Sequence, residues 1–166
     1  MADDEDLGER RTEEDRVFLV VVDQSEELRV ALHFAARRAM RTGGRVALLS
    51  IQEPAEFQHW MAVGDLMREE AREEAEGLMQ RISAEVKEWC GTFPVVHMRE
   101  GDLREELEKL LDEEPSISIL VLAASTESGA PGPLISDLVG KGSGTLRVPV
   151  TIVPGSLTDE EIIAIT

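Results

Sequence analysis

The chain has 166 residues, a net charge of −17 and one cysteine. That length suits a single domain with a full core, and a field of that sign repels phosphate backbones, which excludes nucleic acid as a partner. Cys90 alone gives no internal disulfide framework and no cysteine-cluster zinc site.

No apolar run reaches membrane-spanning length. The opening Met-Ala-Asp-Asp-Glu-Asp is acidic and lacks the basic-then-apolar order of a signal peptide, so a cytoplasmic location is expected. The first fifteen residues hold eight acids and two arginines, so −6 of the charge lies there and −11 in the remainder. Residues 1–15 are polar and aperiodic, which predicts a disordered acidic tail.

Val17-Phe-Leu-Val-Val-Val is a continuous apolar run ending in Asp23. A run without alternation predicts a strand buried on both faces, here Arg16 to Asp23, as in a parallel sheet. Ser25 is placed to cap the helix that follows. Leu28, Leu32, Ala35, Ala36 and Ala39 form one face of that helix, and Gly43-Gly44 ends it. Val46 to Ile51 is a second strand. Gln52 to Asp65 reads as a loop, and its apolar residues Phe57, Trp60 and Met61 suit either a lid or a packed connection. A long helix is expected from about Leu66 to Trp89, with Ala71, Ala75, Leu78, Met79, Ile82 and Val86 at helical spacing.

Pro94 to Met98 is a short third strand. Gly101-Asp102 opens a helix with Leu103, Leu107, Leu110 and Leu111 inward, and Pro115 stops it. Ile117 to Ala124 is a fourth buried strand. A Gly-, Ser- and Pro-rich connection spans Ser125 to Gly144, with a short helix around Leu134 to Val139. Val148 to Val153 is the fifth strand, and Pro149 suits it to an edge. In the tail, residues 155–166, Thr158 and Glu161 have capping-box spacing. Strands alternating with helices predict right-handed crossovers and a five-stranded parallel sheet in a three-layer α/β/α sandwich. In such a sheet ligands bind at the carboxyl edge, where Asp23 and Ser25 stand.

This order resembles the universal stress protein family over roughly Arg16 to Pro154. The features that carry it are Val-Val-Val-Asp-Gln-Ser, Ala-Leu-Leu-Ser-Ile, Arg99-Glu-Gly-Asp-Leu-Arg-Glu-Glu-Leu, Ile119-Leu-Val-Leu-Ala-Ala-Ser, and Val148-Pro-Val-Thr-Ile-Val-Pro. The resemblance implies strand order 3-2-1-4-5, the adenine nucleotide α-hydrolase-like arrangement. ATP-binding members carry Gly, two residues, Gly, nine residues, Gly, then Ser or Thr. Gly129-Ala-Pro-Gly132, nine residues, then Gly142-Ser143 meets that count. Glycines let the backbone approach a phosphate, whose oxygens then take the exposed N–H groups. The resemblance thus implies ATP with magnesium, or another adenine nucleotide, at Asp23, Ile51, Gly129, Gly132, Gly142 and Ser143. It also implies a stress-response homodimer joined through the fifth strand. Ile162, Ile163 and Ile165 of the tail are too apolar for a free solvated end, and they are expected to pack on the partner.

Two departures stand beside this match. Ala123-Ala-Ser-Thr-Glu-Ser intervenes before Gly129, and only Gly144 to Val148 separate Ser143 from Pro149, too few for the family's helix there. The glycines therefore read equally as loop punctuation, and Glu127 sets a carboxylate beside the loop. Asp23 suits a ribose, an adenine amino group or a magnesium-bound water, or else a helix cap. Ile51 suits an adenine face or plain core. His33 and His97 read as structural, while His59 is the histidine best placed to meet a ligand. No catalytic motif is visible. The remaining readings are a dimeric interaction module that binds no nucleotide and, third, a slow ATPase.

Overall fold

The computed structural model describes residues 16–54, 61–127, 129–140, 144 and 146–166, with backbone alone at 61–63. The expected tail at 1–15, the loop residues Phe57, His59 and Trp60, and Gly142 and Ser143 lie outside the described residues.

Among the described residues five strands and five helices alternate: β1 (Val17–Val22), α1 (Leu28–Thr42), β2 (Arg45–Gln52), α2 (Met61–Cys90), β3 (Val95–Glu100), α3 (Leu103–Glu113), β4 (Ile117–Ala124), α4 (Pro133–Gly140), β5 (Val150–Pro154) and α5 (Asp159–Ile165). All strand pairs are parallel and the order is β3-β2-β1-β4-β5. Val22 lies beside Ser50, so β1 and β2 end at the same edge.

The pleat of β1 divides the core. Phe18, Val20 and Val22 face α1 and α2, meeting Leu32, Ala35, Met79, Ile82 and Val86. Leu19 and Val21 face α3 and α4, meeting Leu107, Leu110, Leu111, Ile135 and Leu138. Each of the larger side chains, fully buried, contributes about 1.5–3 kcal/mol. β1 is therefore apolar throughout because both of its faces are covered.

Gly43 ends α1 in the left-handed conformation at φ 68°. Gly44 follows because a Cβ there would collide with the Arg16 carbonyl oxygen. Arg147 anchors the approach to β5. Its guanidinium donates to the carbonyls of Leu111, Glu114 and Ile117, pinning the connection to the end of α3.

Three expectations are corrected. α2 begins at Met61, five residues before Leu66, with Gly64 and Asp65 inside it. A single glycine costs a helix about 1 kcal/mol, too little to delay a helix of this length. Ser25 does not cap α1: the capping position falls on Glu27, without a side-chain cap. Ile162 packs within its own chain, fully buried, while Ile163 and Ile165 stay exposed.

Candidate functional site

The order of the strands reverses between β1 and β4, so their carboxyl ends diverge and leave a crevice. Two contiguous cavities occupy that edge. The narrower, about 360 Å³, lies between the ends of β1 and β4 and the starts of α1 and α4. The wider, about 1040 Å³, lies between the ends of β1 and β2 and the flank of α2. Asp23, Gln24, Ser25 and Leu28 line both, so Asp23 stands at their junction.

Asp23 is oriented by its own turn. Its Oδ1 accepts from the Ser25 N–H at 2.9 Å and from the Ser25 hydroxyl at 2.6 Å. These bonds close an Asx-turn ahead of α1, whose capping position falls two residues further on. Ile51 lines the wider cavity and also packs against the core on the α3 face. Beside it Gln52 has an enclosed amide nitrogen with no hydrogen-bond partner among the described residues.

Gly132 lines the narrower cavity and has φ 105°. Gly129, at φ 68°, lies on the same turn but lines neither cavity. Both conformations favour glycine. A Cβ at Gly132 would come no nearer than 4.0 Å to Ser125, so the space beside it is open. The Gly132 carbonyl accepts from Ser136 N–H, starting α4. Pro133 has no N–H, and the next two N–H groups, of Leu134 and Ile135, begin the helix without intrahelical partners.

Sequence reasoning missed Glu27. It is buried, and its Oε1 accepts from the Thr126 N–H at 3.2 Å, tying α1 to the loop after β4. Its own backbone N–H and that of Thr126 hold the carboxyl below the usual range, so it is ionised at neutral pH. Gly155 backs it, for a Cβ there would lie 2.5 Å from Glu27 Cγ. The only signal in sequence was an acidic pair just inside a helix start, too common to single out. Arg81 was missed as well, and it is the one cation on the described lining of the wider cavity.

Among the described residues no three His, Cys, Asp or Glu side chains group closely enough to hold a metal ion. Magnesium therefore does not fit as a resident of the protein's own side chains. His33 is remote from the cleft: it stacks on Trp89 at 4.7 Å in the α1–α2 interface. Cys90 is a free thiol beside the Thr92 carbonyl. Among the described residues no helix is long and apolar enough to cross a membrane.

Comparison with known proteins agrees with this architecture. No curated protein sequence matches. Among solved structures, a universal stress protein from Lactobacillus plantarum shares 20% identity at a TM-score of 0.70, covering 84% of this chain and 98% of its own. One from Archaeoglobus fulgidus, in complex with dAMP, shares 15% identity at a TM-score of 0.55, covering 83% and 97%. A universal stress protein in complex with cAMP shares 16% at 0.59, covering 85% and 98%. At these identities the likeness is one of fold. The family model for universal stress proteins matches residues 16–154. With that match across nearly all the described chain, this chain belongs to the universal stress protein family.

Proposed function

We propose that this protein is a regulatory member of the family that binds an adenine nucleotide at the carboxyl edge of β1 and β4. The observation that carries the reading is the pair of contiguous cavities joined at Asp23. The wider one has the room and the apolar wall for a purine, and Gln52 offers an unpartnered amide to its edge. The narrower one lies against the Gly129–Gly132 turn and the start of α4, where a phosphate is favoured by helix-terminal N–H groups. Asp23, Ile51, Gly129 and Gly132, with Gly142 and Ser143, make up the proposed contact set. ATP with magnesium belongs to this ligand class, the metal arriving on the phosphates. That related structures hold cAMP and dAMP supports the class. A stress-response role, a cytoplasmic location and a homodimer joined at β5 complete the reading.

A nucleotide that binds only the folded state raises its stability, by about 2.7 kcal/mol at a hundredfold excess over Kd. Adenosine, AMP and magnesium ATP are therefore each expected to raise the melting temperature at millimolar concentration. Gly132→Val should remove the effect while keeping the far-UV spectrum. Flat melting curves with every adenine ligand favour a second reading, a dimeric interaction module. The acidic lining of the narrower cavity is the observation on its side.

A further inference from the structure

A loop that holds a phosphate does so by offering backbone N–H groups. After β4 the first three such groups are already taken within the protein. Ser125 N–H donates to the Pro131 carbonyl at 3.1 Å, Thr126 N–H to Glu27 at 3.2 Å, and Glu127 N–H to Ser125 Oγ at 3.2 Å. Across the cleft, Ser25 spends both its N–H and its hydroxyl on Asp23.

The charges point the same way. Asp23, Glu26, Glu27 and Glu127 all line the narrower cavity, and no lysine or arginine is among its described lining residues. Glu27 is fixed rather than free to swing aside. It is 8% exposed, it is backed by Gly155, and the Gly155 N–H in turn donates to the Ala124 carbonyl at 3.1 Å. A long polyphosphate entering here meets fixed like charges in a partly enclosed site, where repulsion exceeds its value in water. It must also break the Glu27–Thr126 bond to reach that donor. A nucleoside meets neither penalty, and a monophosphate meets them only in part.

Resting on the adenine-nucleotide reading, we infer that the cleft sorts its ligands by charge. It takes adenosine and adenosine monophosphate ahead of metal-free ATP, and Glu27 is the residue that sets the preference. Magnesium relieves the exclusion by cancelling phosphate charge before the ligand enters.

Titration calorimetry on the full chain tests this with adenosine, AMP, ATP in EDTA and magnesium ATP. AMP is expected to bind at least about tenfold more tightly than metal-free ATP, the scale of like charges brought together at an interface. The ratio should narrow between about 0.05 M and about 0.5 M salt as the charges are screened. Glu27→Gln keeps an oxygen for Thr126 N–H while removing the charge, and should lower the ratio severalfold. Glu127→Gln, at an exposed position, should lower it too and covers the case in which the first variant does not fold. Metal-free ATP binding as tightly as AMP overturns the inference while the nucleotide reading stands. So does a ratio that neither variant changes. Absence of heat with all four ligands removes the nucleotide reading itself, and the charge filter with it.

Discussion

At the residue scale the site turns on a few close approaches. Gly155 is the sharpest: its missing Cβ leaves room for both the Ala124 carbonyl and the Glu27 side chain. Gly155→Ala should cost about 1–3 kcal/mol by overpacking, which for a chain of this size lowers Tm on the order of 5 °C. Thermal unfolding followed by circular dichroism measures it, and an unchanged Tm would show that the backbone yields freely there. Asp23 was legible in the sequence because an apolar run has to stop where the strand leaves the core. Glu27 was not, because the group that holds it, Thr126, is 99 positions away. Ser25 misled for a different reason: α1 starts at Leu28, so the capping position falls two residues later, on Glu27, and the Ser25 hydroxyl donates to Asp23.

At the scale of elements, periodicity carried far wherever one face had to be buried. All five strands and the helices between them were legible, and so was the Thr158–Glu161 capping box, where Thr158 Oγ1 accepts from Glu161 N–H at 3.2 Å. The start of α2 was not, because residues 65–74 are exposed and so leave no apolar stripe to read. Nor was the seat of α5, which depends on a charged cluster drawn from three helices. Arg29 donates to Asp159 at 2.8 Å and to Glu85 at 3.1 Å. His33 Nδ1 lies 3.2 Å from Asp159 without the alignment of a hydrogen bond. Burial, opposed by Asp159, pushes the His33 pKa below its ordinary 6.5. The unfolded chain then takes up this proton at higher pH than the folded one. Stability is therefore full above about pH 6.5 and is lost as pH falls from there through the folded-state pKa. His97, also lowered by burial, adds in the same direction. Tm should fall between about pH 7.5 and pH 5, and His33→Gln should flatten part of that slope. An identical slope in the variant would remove His33 from the account. Asp159, lowered mainly by Arg29, adds its own loss only in the more acidic range, as pH falls from its ordinary 3.8 through its folded-state pKa.

At the scale of the whole molecule, β5 forms one edge of the sheet, with Ile152 41% exposed. An open edge of this kind invites a second copy, but two bodies of charge −17 repel each other. The expected dimer should therefore scatter at about twice the 18.3 kDa of the chain, and should tighten from about 0.05 M to about 0.5 M salt. Ile152→Lys should return it to a monomer, and a native chain that scatters at 18.3 kDa at every salt concentration would overturn the assembly. One further property follows from α2. Its 30 residues make a rod of about 45 Å, while the eight of β2 span about 27 Å. Residues 65–74 are exposed throughout, and contact with the core begins only near Leu78 and Met79. The outer part of the wider cavity's wall, Ala71 to Glu74, is thus held by little of the core, so local disordering costs little there. A ligand seated there would have to draw its affinity from side chains that the core does not hold in place.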